Sequence, residues 1–180
     1  SALTIAYLLV RYGKIGIVEE IAIYTPRKRK GVNKMIKYQA NLLLDTKTQL
    51  GEGPAWDERT GKLLWVNIMG AEVNVFDPKT NDNQVIDLSD QFSDIGTIAP
   101  TTDPNKVIIA PDLSIALLDL NTEEVEILAT VEGENERFND GKCGPAGNLI
   151  VGTMHSSEPM GKPYNYPKDG GVQFVCDGVK

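Results

Sequence analysis

Cysteine is scarce: Cys143 and Cys176 are the only two in 180 residues. Two thiols cannot build a disulfide framework, so the composition suits a reducing compartment. A cytoplasmic protein is expected, with the nucleus as the alternative. Long apolar runs are missing as well. The segment 2–10 is mostly apolar, but it falls short of the roughly 20 residues that a membrane-spanning helix needs. No charged region precedes it and no small-residue cleavage site follows, which sets aside a secretory signal. No membrane partner is expected. After residue 40 there is no window of helical period and useful length, which removes helical and mixed folds. Basic charge is short outside the first 40 residues. Residues 41–180 carry ten Lys/Arg against 23 Asp/Glu, whereas residues 1–40 carry eight against two; −13 and +6 give the net −7. An acidic body disfavours nucleic acid and suits cations. The basic run Arg27, Lys28, Arg29, Lys30 has the composition of a nuclear signal or membrane-surface patch, and a solvated stretch is the simpler reading.

What is present is turn chemistry and short strands. Ten prolines and 17 glycines are spread along a chain that is 41% hydrophobic, enough for a core. Residues 1–34 are unlike the rest and form a basic extension of unknown structure. The first methionine is Met35, and residues 35–180 make the second part. Strands are expected at 62–68, 72–77, 84–88, 95–99, 106–110, 114–119, 125–131 and 149–151, with turns at Asp77-Pro78 and Asp103-Pro104. This is an all-β pattern.

The pattern repeats. Asp57 to Val66, Asp103 to Ala110 and Gly144 to Val151 are similar turn-and-strand pieces. Their strand openings, Lys62, Lys106 and Asn148, are 44 and 42 residues apart, and the turn residues Asp77 and Asp119 are 42 apart. A period of about 40–45 residues with four strands per unit marks propeller blades. A β-sandwich with accidental spacing is the alternative. Three innermost strands are predicted ahead of the landmarks, at 51–56, 94–99 and 137–142. Glu52 and Asn139, 87 residues apart, then sit at similar heights on blades one and three. A carboxylate and an amide converging on a channel mouth are hard oxygen ligands of the kind calcium or magnesium prefers. Zinc is served less well, because the matching positions lack histidine and cysteine. Arg137, Asn139, Asp140 and Lys142 form a polar cluster that could face a ligand.

Three pieces, 50–57, 63–68, and 137–142 with 152–154, resemble the senescence-marker-protein-30 family, also called regucalcin, gluconolactonase or luciferin-regenerating enzyme. The resemblance covers about Met35 to Lys180. It implies a six-bladed β-propeller, of which about three four-stranded blades are present here. It also implies one divalent cation in the central channel, with calcium the first expectation and zinc, manganese or magnesium the others. The implied activity is hydrolysis of sugar lactones, with a calcium-binding regulator that does no chemistry as the second reading. Carried over by position, Glu52 is similar to the family's first metal ligand. Arg137 and Asn139 are similar to its substrate contacts. The family's glutamate near the substrate aligns with Ser157, and Glu158 lies one residue later. His155, the only histidine, is expected in the same loop. Asn67 and Gly144 stand where the family usually has aspartate, and both read as structural. The remaining metal ligands and the general base are expected beyond Lys180. The chain therefore reads as the N-terminal half of a propeller, inactive alone. Its open blade faces, made apolar by Leu64, Val66, Ile108 and Ile109, invite self-association.

Overall fold

Fifteen strands and a single 3-10 turn, Ile68–Gly70, make up the regular structure of the described residues. The computed structural model describes residues 9–11, 14–18, 40–155, 163–166 and 173–174, with side chains described for 42–155. No helix among them is long and apolar enough to cross a membrane.

The chain divides into two compact units, Ser1–Thr48 and Gln49–Lys180. The first contains the sheet β1 (Leu9–Arg11), β2 (Lys14–Val18), β3 (Ala40–Asp45). β3 runs antiparallel to β2, with Ile15 opposite Leu44. The division expected after Lys34 thus falls inside this unit.

The second unit is three consecutive four-stranded antiparallel blades of a β-propeller. Blade one is β4 (Gly51–Asp57), β5 (Lys62–Asn67), β6 (Glu72–Asp77) and β7 (Asp82–Asp87). Blade two is β8 (Ile95–Pro100), β9 (Lys106–Pro111), β10 (Ser114–Asp119) and β11 (Val125–Thr130). Blade three is β12 (Glu136–Cys143), β13 (Leu149–His155), β14 (Pro163–Tyr166) and β15 (Gln173–Phe174). In every blade sequence neighbours are sheet neighbours, so short turns suffice. Those turns carry the expected chemistry. Asp77 Oδ1 accepts from Lys79 N at 2.8 Å, and Asp119 Oδ1 accepts from Asn121 N at 2.9 Å.

Strand periodicity assigns each blade two apolar faces. Leu64, Val66, Val73, Val75 and Ile86 of blade one pack with Ile95, Ile98, Val107 and Ile109 of blade two. The opposite face of blade two, through Ala99, Ala110 and Ile115, meets Phe138, Leu149 and Val151 of blade three. Each large side chain fully buried this way contributes about 1.5–3 kcal/mol. This corrects the expectation that Leu64, Val66, Ile108 and Ile109 coat the open faces. Leu64, Val66 and Ile109 lie inside the layer between blades one and two, and Ile108 is partly buried against the layer between two and three. A continuous apolar run carries no sign of which face looks outward. On β13 the run 149–151 alternates: Leu149 and Val151 are buried, whereas Ile150 is 40% exposed.

Candidate functional site

The three innermost strands share one irregularity. The register slips between Glu52 and Ala55 on β4, between Ile95 and Ile98 on β8, and between Phe138 and Gly141 on β12. Each is a bulge near the same end of its strand, and bulges re-aim side chains. The pairs Gly51–Asn67, Ile95–Pro111 and Phe138–Thr153 are equivalent, because 67, 111 and 153 each lie five residues after Lys62, Lys106 and Asn148. One residue further on come Glu52, Gly96 and Asn139. The carboxylate and the amide therefore occupy one register position on blades one and three, with glycine between them on blade two.

That glycine is required. A Cβ at Gly96 would lie 2.6 Å from the backbone oxygen of Asn139. β8 and β12 approach so closely that only a hydrogen fits. On the neighbouring residues, Thr97 Oγ1 donates to the Gly141 backbone oxygen at 3.1 Å. These two contacts lock blade three to blade two just where the polar side chains emerge.

Glu52 is exposed. The strand leading to it is held by Asn67, whose Oδ1 accepts from Leu50 N at 3.0 Å while its Nδ2 donates to Glu72 Oε2 at 2.8 Å. Leu50 also returns a backbone bond, accepting from Ile68 N at 2.8 Å. Asn67 is structural, as expected, and its work is done one strand away from the site. Gly144 is structural too: its N–H bonds Asn148 O at 2.7 Å and closes the β12–β13 hairpin.

Arg137 and Asn139 meet. Arg137 Nη1 donates to Phe138 O at 2.8 Å and to Asn139 Oδ1 at 3.3 Å. The guanidinium folds back over the bulge and fixes the amide's orientation. Asp140 is exposed, with an ion pair to Lys142 at 3.4 Å between two well-solvated side chains, and such a pair stabilises little. His155 ends β13 opposite Glu136, so it belongs to a strand rather than the expected loop. Glu158 lies outside the described residues. No cluster of three or more histidine, cysteine, aspartate or glutamate residues that could hold a metal ion occurs among the described residues.

One residue beside the bulges was not expected. Asp94, just before β8, is only 9% exposed, and its Oδ1 is buried without a hydrogen-bond partner. Burial pushes its carboxyl up to about 6; Arg137 pulls it back down and Asp112 pushes it further up. Asp112 sits in the β9–β10 turn at φ 47°. It ties the region together: its Oδ1 accepts from Ser93 N, its N–H bonds Asp94 O, and its own backbone oxygen accepts from Phe138 N at 2.7 Å. The available signal was spacing, since Asp94 precedes Arg137 by 43 residues, one repeat.

Residues 50–180 match the family described as the SMP-30/gluconolactonase/LRE-like region. A Bacillus subtilis (strain 168) protein provisionally named a sugar lactone lactonase is 33% identical over 144 residues, 78% of this chain and 48% of its own length. An L-arabinolactonase of Azospirillum brasilense is 32% identical over 115 residues, 63% of this chain and 37% of its own. Among solved structures, a calcium-binding regucalcin of Agrobacterium tumefaciens superposes with a TM-score of 0.66 at 31% identity, covering 73% of this chain and 44% of that one. The chain spans about half the length of these relatives, or less.

Proposed function

Because this chain belongs to the SMP-30/gluconolactonase/LRE-like family, we propose that it supplies half of the site of a divalent-metal-dependent sugar lactone hydrolase. The observation that carries this reading is the shared register position of Glu52 and Asn139, with Arg137 bonded to the amide. The named activities of the two bacterial relatives support the substrate class.

The donor set suits a hard cation. Glu52 offers an exposed carboxylate and Asn139 an amide oxygen, both oxygen donors at one register position. Glu52 would hold the cation, with calcium the first choice and zinc, manganese and magnesium the alternatives. When bound, the cation would polarise the lactone carbonyl. Arg137 and Asn139 would bind the sugar. A guanidinium has five N–H donors, so Arg137 can bond substrate hydroxyls while Nη1 keeps its backbone and amide acceptors. It would also steady negative charge that develops on the carbonyl oxygen. Glu158 is proposed as a further sugar contact. The base that draws a proton from the attacking water is assigned to none of these residues. Alone, these 180 residues are therefore expected to be inactive and to self-associate through open blade faces.

A second reading, a calcium-binding regulator without catalysis, is favoured by the regucalcin neighbour. One experiment separates them. A ring-complete form, this chain joined to the remaining blades, is assayed with glucono-δ-lactone and an arabinono-γ-lactone, each with and without calcium. Cation-dependent hydrolysis supports the enzyme. Calcium binding without hydrolysis of any sugar lactone would favour the regulator.

A further inference from the structure

We infer that Asp94 is a specificity-determining residue, a fixed negative charge at the register position of Arg137 on the adjacent blade, that favours the neutral lactone over its anionic product. The inference rests on the lactonase reading and deepens it.

Asp94 and Arg137 are the residues just before the equivalent positions Ile95 and Phe138, so they occupy one register position on adjacent blades. Ile95 packs toward blade one. By strand alternation Asp94 and Gly96 face blade three, and the clash that a Gly96 Cβ would make with β12 agrees. Among the described residues, the charges that act on the Asp94 carboxyl are the Arg137 guanidinium and the Asp112 carboxylate. Asp94 gains little for the fold. Its Oδ1 is buried without a hydrogen-bond partner among the described residues, and desolvating a carboxylate this way is costly. A buried acid that Arg137 opposes in charge but whose Oδ1 takes no hydrogen bond is a pattern that function, more than stability, accounts for.

Lactone hydrolysis supplies the reason. Water adds to the carbonyl, the ring C–O bond breaks, the ring oxygen takes a proton, and the new carboxylic acid loses one. A neutral substrate becomes an anion. Arg137 alone would hold that carboxylate strongly, because guanidinium–carboxylate pairs are among the strongest hydrogen-bonded pairs. A second negative charge beside Arg137 offsets this attraction, and it leaves bonds to uncharged hydroxyls largely intact. Asp94 keeps its charge at the usual assay pH of 7.5, above its raised value.

The test uses the ring-complete protein and its Asp94→Asn, Asp94→Ser and Asp94→Glu variants. Sodium gluconate binding and binding of uncharged sorbitol are measured calorimetrically at pH 7.5, alongside KM for glucono-δ-lactone. Removing a charge near a partly buried guanidinium should tighten gluconate about tenfold. Sorbitol affinity and KM should move much less. Glutamate, which keeps the charge, should restore weak gluconate binding. Serine serves where asparagine fails to fold. Gluconate affinity unchanged in the neutral variants, or gluconate and sorbitol shifting together, would overturn the inference. Absence of lactone turnover in the unmutated protein would instead overturn the lactonase reading, while the gluconate comparison would still decide the role of Asp94.

Discussion

Glu52 and Asn139 stand at the same register position two blades apart, each one residue beyond an equivalent backbone pair, Gly51–Asn67 and Phe138–Thr153. The position between them is Gly96, where no side chain fits. Three innermost strands thus carry a carboxylate, a glycine and an amide at one register position, each beside the bulge common to all three blades.

The bond between Arg137 Nη1 and Asn139 Oδ1 predicts coupled behaviour. In a ring-complete protein, Arg137→Ala removes sugar contacts and also frees the amide. It should lower kcat/KM by about 100-fold, a loss of about 2.7 kcal/mol in transition-state stabilisation. Asn139→Ala should cost less, and the double variant less than the sum, because the pair shares one interaction. Steady-state kinetics of the four forms check this; strict additivity would show that the two act separately.

Gly96→Ala should destabilise the fold by about 1–3 kcal/mol, the usual effect of forcing extra atoms into a packed layer. The clash is with backbone, which cannot swing aside. Chemical unfolding measures it. A variant as stable as the parent would mean that β8 and β12 separate more easily than their closeness implies.

Asp94 predicts a pH signature. Its carboxyl is raised in the fold to about 6 by burial, against an ordinary value of 3.8. The unfolded chain therefore loses this proton first as pH rises. Folded stability falls across the window from about 4 to about 6 and stays lower above it. Asp94→Asn lacks this dependence. Urea midpoints from pH 4 to 7 should show the variant gaining on the parent through that window. A constant difference would contradict the assignment. Asp57 behaves oppositely. Burial pushes its carboxyl up, but the hydrogen bonds and charge of Arg59 outweigh this and hold it below the ordinary value. Its contribution is present at neutral pH and is lost as the solution is acidified below about 4.

Much of this was legible in the sequence. The blade period was visible because hairpin turns have a local chemistry, Asp-Pro and Gly-Pro ahead of apolar runs, that needs no tertiary information. The Glu52–Asn139 relationship followed from that period by counting. Other features were not legible. Leu64, Val66 and Ile109 sit in runs buried on both sides, so alternation could not say which face met a neighbour. Asp94 carries no local motif: an acid before Ile-Gly-Thr looks like any loop aspartate until blade three is packed against it. His155 was read as a loop residue because the strand after Gly152 lacks strong apolar alternation. Pairing with β12 extends that strand.

The 180 residues by themselves should show little or no lactonase activity. General-base assistance typically contributes 100- to 10,000-fold, and no residue assigned here supplies it. Light scattering on the 180-residue chain should reveal association. A well-behaved monomer hydrolysing a sugar lactone at about 1 per second or faster, a rate typical of enzymes, would show that the site is complete within this chain.

The most direct test of the account is the calcium dependence of lactone hydrolysis in the ring-complete protein and its Glu52→Gln variant. The change preserves shape and removes one unit of charge from a hard-cation site. The account predicts that chelation abolishes hydrolysis in both. It also predicts that the half-maximal calcium concentration rises at least about tenfold in the variant, equivalent to about 1.4 kcal/mol. Superimposable calcium curves, or hydrolysis that ignores the chelator, would contradict it.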